Sequence, residues 1–335
     1  MRVGTGKERA ARSPLSVRTT GIPRVALVLG AIAVVTAVGG LGLRAQIKPD
    51  QVQVFISPVD ASGQPVTDLK PEEIAMTENG APGKVLSVDR HSLPIKLTIT
   101  VDNGRESATA LAVFRTGLTG LVEALPPDLE VTFITTAPQP AMRVRPTTDR
   151  AQITQGISRF GVEPDEPARF SDALVEYAER LEKDFKDKKL TYAPVLVMVS
   201  TSAQEGSSLQ RDTIEKALKT LLARGARVSV AMTTTKPTDA DSVDFLKNGR
   251  QALIAGPVVQ ASGGKFETMV AFAQMATLLP AWGKEIALSH TRQTNQVRVV
   301  IERPGGNTGA LNNPALRLTR QGLNGSVSMD GRFIQ

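Results

Sequence analysis

The stretch that most constrains the fold runs Leu97-Thr98-Ile99-Thr100-Val101-Asp102-Asn103-Gly104-Arg105-Glu106-Ser107. Its first five residues are apolar or β-branched, and such side chains suit a pleated, half-buried surface. They carry an aspartate to the C-terminal end of a strand, and an Asn-Gly turn then leads into a helix. In an open α/β sheet, ligands bind just outside the carboxyl ends of the strands, which is where Asp102 lies.

From Leu93 onward, strand and helix patterns alternate. Ile95 to Val101 is a strand. Ala108 to Leu125 is a helix with Leu111, Phe114, Leu118, Leu121 and Val122 on one stripe, ended by Pro126-Pro127. Leu129 to Thr135 is a strand, and Ala141 to Arg145 a short edge strand. Ala151 to Ile157 and Ser171 to Asp187 are helices, the second capped by Ser171 or Asp172. Val195 to Ser200 is a strand apolar on both faces, Leu209 to Arg224 a helix closed by Gly225, and Val228 to Met232 a strand. Phe245 to Asn248 and Thr268 to Leu279 read as helices. This alternation predicts an α/β domain with a mostly parallel sheet flanked by helices on both sides.

The flanks are β. Val52, Val54 and Ile56 share one face of a strand. Asp60 to Gly63 is a turn, Val66 to Leu69, Ile74 to Thr77 and Val85 to Val88 are short strands, and Glu78-Asn79-Gly80 is a hairpin signal. A unit this small has little core, so it is expected to pack against the α/β region. Beyond that region, Glu285 to Ser289 and Gln296 to Glu302 read as closing strands.

Composition excludes several functions. The 335 residues contain no cysteine, so disulfides, thiolate chemistry and cysteine-held zinc are ruled out, and His91 and His290 are too few for a histidine-rich metal centre. Aromatic content is 4%, too low for a base-stacking nucleic-acid binder. The formal charge of +7 is concentrated at the N-terminus: Arg2, Lys7, Arg9, Arg12, Arg18, Arg24 and Arg44 stand against Glu8 alone, and the rest of the chain is nearly neutral. The uncharged run Val25 to Leu43 follows Arg24 and precedes Arg44-Ala45-Gln46. It reads either as a signal peptide cut after Ala45 or as a retained membrane anchor; both place the body outside the cytoplasm, in the periplasm, envelope or medium.

Other candidate residues have plain structural readings. Ser289 beside His290 lacks the Gly-x-Ser-x-Gly elbow and a third orienting group, so His290 is read as a strand-end residue. His91 lies in the link between the two parts and is read as solvated. The mixed-sign run from Glu179 to Lys189 is an exposed helix face. Trp282, the single tryptophan, is a packing residue, and no phosphate-cradling glycine loop is present.

The pattern Val52-Gln53-Val54-Phe55-Ile56, Val59-Asp60-Ala61-Ser62-Gly63-Gln64-Pro65-Val66 and Thr77-Glu78-Asn79-Gly80 resembles the small N-terminal β module of bacterial exported von Willebrand factor A-related proteins. Leu93-Pro94 through Asp102 resembles the first strand of a von Willebrand factor type A domain. Ala261-Ser262-Gly263-Gly264 resembles the turn that family places before a short strand and the last helix. Beside the leader read at 1–45, the resemblance implies a β module at 46–94, a type A, Rossmann-like domain at 95–285 and closing strands at 286–335.

It also implies a metal-ion-dependent adhesion site, Asp-x-Ser-x-Ser, completed by a Thr from a second loop and an Asp after the central strand. Hydroxyls with few carboxylates suit Mg²⁺ and leave a position for a ligand's acidic group. Here Asp102 matches the first Asp. Gly104 and Glu106 replace the two serines, Ser171 stands in for the Thr, and Val199-Ser200-Thr201-Ser202 offers no Asp. Asp102 is thus either a residual metal ligand or a turn- and helix-capping carboxylate. Asp102, Glu106 and Ser171, with Asp172, could form a rearranged Mg²⁺ or Ca²⁺ site; the leading expectation is that no cofactor is bound. The expected protein is a non-enzymatic interaction or adhesion protein, or else a structural spacer. Its contact rim is Asp102, Asn103, Arg105, Glu106, Ser171, Asp172 and Thr201; its protein partner is unidentified, nucleic acid is not expected, and any membrane contact is through the N-terminal segment.

Overall fold

The computed structural model describes residues 27–28, 47–186, 191–202, 205–234 and 250–333. The expected leader, apart from Leu27–Val28, and the helix expected at Phe245 to Asn248 lie outside the described residues. The strands are β1 (Leu27–Val28), β2 (Gln51–Val59), β3 (Ile74–Glu78), β4 (Ala81–Pro82), β5 (Lys84–His91), β6 (Ile95–Val101), β7 (Glu130–Thr135), β8 (Ala141–Thr147), β9 (Ala193–Thr201), β10 (Arg227–Thr233), β11 (Phe266–Met269), β12 (Gln296–Glu302), β13 (Pro314–Leu318) and β14 (Asn324–Ser328). The helices are α1 (Leu111–Glu123), α2 (Arg150–Arg159), α3 (Phe170–Phe185), α4 (Arg211–Ala223), α5 (Arg250–Ser262) and α6 (Met275–Thr294).

The central sheet has the order β11-β10-β9-β6-β7-β8, parallel throughout except for the antiparallel edge strand β8. Counted within the sheet this is the doubly wound order 3-2-1-4-5-6, with the switch point between β6 and β9. Every residue of β9 is buried, as its unbroken apolar run requires. Val195, Val197 and Val199 face a core built with Phe114, Leu118 and Leu121 of α1, Ile153 and Ile157 of α2, and Leu279 and Trp282 of α6. Leu196 and Met198 face the opposite core, with Leu174 and Leu181 of α3, Leu221 of α4 and Val258 of α5. Glycines let α1 and α6 approach backbone to backbone: a Cβ on Gly283 would lie 2.5 Å from the Leu121 carbonyl oxygen.

The flanking β-strands come from both ends of the body and share two sheets, β14-β2-β12-β5 and β1-β13-β3-β4. β2 pairs with β12 and β14, and β3 with β13, so one core joins Val52, Val54, Ile56 and Met76 to Val297, Val299, Ile301 and Leu316. The expected Asn-Gly hairpin is present, with Asn79 at φ 49° and Gly80 at φ 82° between β3 and β4. Beneath it Glu78 and Arg303 form a buried ion pair, closed by Arg303 donating to the Gly309 and Ala310 carbonyls.

Several local expectations are corrected. Val66 to Leu69 forms no strand; Arg90 from β5 ties this extended segment down through the carbonyl and hydroxyl of Thr67. Thr268 to Leu279 is not one helix: Thr268 and Met269 end the short strand β11, and α6 begins at Met275. The turn at Gly263, φ 68°, precedes β11 and α6 as the family resemblance implied. Glu285 to Ser289 is not a strand but the middle of α6, whose helix runs on to Thr294. His290 is therefore a buried helix residue and not a strand end. His91 ends β5 half-buried against the Phe55 ring, centroids 4.9 Å apart, and that burial lowers its pKa. Trp282 is 4% exposed and packs in the core as expected.

Candidate functional site

Asp102 directly follows β6 at the sheet's switch point and is 2% exposed. Both carboxylate oxygens are occupied by the protein itself. Oδ1 accepts the Gly104 amide at 2.8 Å, and Oδ2 accepts the Thr201 hydroxyl at 2.6 Å and, more weakly, its amide at 3.4 Å. Thr201, from the end of β9, thus provides a donor on the strand where the resembled family places its second Asp. Burial pushes the Asp102 carboxyl up from its ordinary value; the Thr201 and Gly104 bonds oppose this, while the negative charge of Glu106 adds to it.

The loop 161–168 crosses this turn and is stitched to it. The Glu163 amide donates to the Asn103 carbonyl at 2.8 Å, and the Arg105 amide donates to the Glu166 carbonyl at 2.8 Å. The Asn103 side chain accepts the Ala137 amide and donates to the Ala137 and Gly161 carbonyls. Gly104 is where this strap presses hardest. A Cβ there would lie 2.8 Å from the Pro167 carbonyl carbon and 2.9 Å from the Ala168 amide nitrogen. Gly206 receives the strap from the other side: its Cβ would lie 2.2 Å from Pro167 Cγ.

The start of α3 is capped from a distance. Neither Ser171 nor Asp172 caps it, which corrects the sequence expectation; Arg169 holds the N-cap position without a side-chain bond. The Asp172 amide donates to the Ser207 hydroxyl at 3.1 Å, and the Ser171 amide reaches Glu205 Oε1 at 3.5 Å. Burial raises the Glu205 pKa against the opposing Ser207 hydrogen bonds. Ser107, one position past the family's second serine, donates its hydroxyl to the Gly104 carbonyl.

Of the residues expected at the rim, Asp102, Asn103, Ser171 and Thr201 lie below the surface, all at 2% exposure or less. Arg105 is exposed; Glu106 and Asp172 are half-buried. Arg105 and Glu106 are 3.6 Å apart, and Arg169 bridges Glu166 at 3.4 Å and Asp172 at 3.6 Å. The surface above the buried floor is therefore a mixed-charge rim, with Arg169 and Glu166 added to the residues anticipated. The sequence signal for the strap was the pairing of Gly104 and Gly206 with Pro167, legible only as glycines making room for a close neighbour.

The family resemblance implies a metal here, and the residues present do not suit one. Glu106 Oε2 and Ser171 Oγ are buried without a hydrogen-bond partner, yet Asp102 is fully engaged and the place of the first serine is filled by strap backbone. Among the described residues, no group of three or more His, Cys, Asp or Glu is placed to hold a metal ion. This arrangement does not fit an octahedral, ligand-accepting centre.

A scan against protein-family models finds no match, and no curated protein matches the chain. Among solved structures, a von Willebrand factor type A protein from Catenulispora acidiphila is 8% identical over 86% of this chain and 74% of its own, with a TM-score of 0.45. BatB from Bacteroides thetaiotaomicron is 12% identical over 58% and 98%, with a TM-score of 0.41. Proximal thread matrix protein 1 from the mussel byssus, with a zinc-occupied adhesion-site motif, is 10% identical over 60% and 50%, with a TM-score of 0.42. By its strand order, its Asp-ended first strand and its closing turn, strand and helix, this chain has a von Willebrand factor A-related fold.

Proposed function

We propose that this protein is an exported, non-enzymatic protein-binding component of the cell envelope, and that it makes contact through the rim over the strand ends without a metal ion. The observation that carries this reading is the strap: residues 161–168 fill the space beside Gly104, and Thr201 satisfies the carboxylate that a metal would need. What remains accessible is a set of charged side chains, Arg105, Glu106, Glu166, Arg169 and Asp172, held by loops at the strand C-termini. Export rests on the basic segment and apolar run before Gln46. Among the described residues, no helix is long and apolar enough to cross a membrane. Against catalysis, Ser289 and His290 are consecutive on α6, and His290 Nδ1 is taken by the Ile95 amide.

The test is calorimetric titration of the purified protein with Mg²⁺, Ca²⁺ and Mn²⁺ beside the Asp102→Ala variant. No binding by any ion is expected. Binding that vanishes in the variant would overturn the metal-free reading in favour of a divalent-cation-dependent adhesin. That second reading is favoured by the two unpartnered buried oxygens of Glu106 and Ser171. Rim contact is tested by a photoreactive residue at Arg105 in intact cells. A discrete protein adduct is expected, and an absence of adducts from every rim position would favour a structural spacer.

A further inference from the structure

The two chain crossings between the β-sheets and the α/β domain lie side by side. At the first, Leu93 donates its amide to the Gln293 carbonyl at 2.9 Å. Two residues later the Ile95 amide donates not to a carbonyl but to His290 Nδ1, at 3.1 Å, where the ring is 2% exposed. An amide N–H can only donate, so Nδ1 must carry a lone pair and the ring's proton must sit on Nε2. Nε2 faces Asp128 Oδ2 at 3.3 Å, and that carboxylate is 69% exposed.

We propose that His290 is a proton-sensitive latch on this junction. Protonation puts N–H groups of the ring and of Ile95 face to face, and a buried donor left without an acceptor is unfavourable. The imidazolium is held by Asp128, so the accommodating movement falls on the Leu93–Ile95 segment, which withdraws from α6. Asp128 faces the ring from the α1–β7 loop, and Arg150 of α2 lies beside Asp128, donating to the Pro126 and Leu129 carbonyls. On β6, Lys96 is engaged elsewhere, with Glu130 and the Tyr192 ring. On α6 itself Arg292 lies two positions beyond the ring and Glu285 is paired with Lys265, while two buried oxygens of uncharged α6 residues, Ser289 Oγ and Gln293 Oε1, have no hydrogen-bond partner.

The test is amide hydrogen exchange of the full chain between pH 7.5 and 5.5, corrected for intrinsic exchange, with the His290 ring followed by NMR. Protection at Ile95 and Leu93 is expected to fall at least tenfold with the midpoint of the ring's titration, while the β9 amides stay protected. His290→Asn keeps an acceptor near Nδ1 and is expected to abolish the pH dependence. Asp128→Asn leaves the ring in place and removes its counter-charge, and the pH dependence of Ile95 protection is expected to follow the ring's own protonation in that variant too, which keeps the proposal testable if the first variant fails to fold. Ile95 protection that does not change with pH in the wild type would overturn the proposal. So would a protection midpoint that stays fixed while Asp128→Asn moves the ring's titration.

Discussion

Replacing Arg303 by Met leaves Glu78 alone in the core between the two β-sheets. The native pair is enclosed, with Glu78 at 0% and Arg303 at 3% side-chain exposure. Arg303 Nε and Nη2 donate to the two carboxylate oxygens at 2.9 and 2.5 Å, and the Asn312 amide donates to Oε1 at 3.0 Å. The guanidinium, assisted by that amide, holds the Glu78 pKa down from 4.5 to about 2. That difference corresponds to about 3 kcal/mol of preference for the charged form. Removing one member of a buried pair typically costs about 3–5 kcal/mol, because the other is left unpaired. Since the folded pKa lies below the unfolded one, the stabilisation is fully present above about pH 4.5 and fades as the pH falls toward 2. Urea unfolding followed by far-UV circular dichroism is therefore expected to show Arg303→Met destabilised by about 3–5 kcal/mol at pH 7, and by much less near pH 2.5. The double variant with Glu78→Leu is expected to regain most of the loss. Trp282 lies in the α/β core, so its fluorescence separates the unfolding of that domain from the loss in the β-sheets. A penalty below about 1 kcal/mol, or one that does not change with pH, would refute the assignment of this pair as the clamp between the chain's early and late strands.

Three further outcomes concern the site and the core. Gly104→Ser restores a hydroxyl the family uses, but it drives a Cβ into the strap backbone; a loss of about 1–3 kcal/mol and no Mg²⁺-dependent rise in Tm are expected, checked by thermal melts with and without the ion. Thr201→Val removes the hydroxyl donor to Asp102 and is expected to cost about 1–3 kcal/mol. Because burial already raises the Asp102 pKa, this penalty should grow as pH rises through that value and the carboxyl ionises, which a pH series of melts will read. Gly283→Val places side-chain atoms against the Leu121 carbonyl and is expected to lower Tm by separating α1 from α6, with a cost of about 1–3 kcal/mol.

What could be read from the sequence was local. β6 matches its expected span residue for residue, because alternating β-branched residues between Pro94 and Asp102 leave little choice. β9 was legible as a buried strand from its continuous apolar run. The failures lie where a short window carries two meanings. Glu285 to Ser289 is apolar enough for a strand, but it continues a helix whose other turns bury Leu279, Trp282 and His290. β11 has only four residues, too few for any period to show. The most distant features were not legible at all. The pairing of β2 with β12 and β14, the capping of α3 by Glu205 and Ser207, and the strap over Gly104 each join residues far apart in sequence. Asp102 stands out in the sequence, but nothing there pairs it with Thr201, named only as a rim residue beside a missing aspartate; the fold sets the two 2.6 Å apart.

The adjacency of β2 and β14 also sets how this molecule bears tension. Val59 lies opposite Asn324 and Phe55 opposite Ser328, so Gln51 and Ser328 leave the sheet at the same end. A pull between those two points peels Gln51–Val54 from β12 and Ser328 from β2, so the ladders open from that end one bond at a time. The α/β domain enters at Leu93 and leaves at Gln293, where the two crossings are hydrogen-bonded to each other. It hangs off the line of force as a branch, so its rim keeps its shape under a load that begins to strip the strands beneath it.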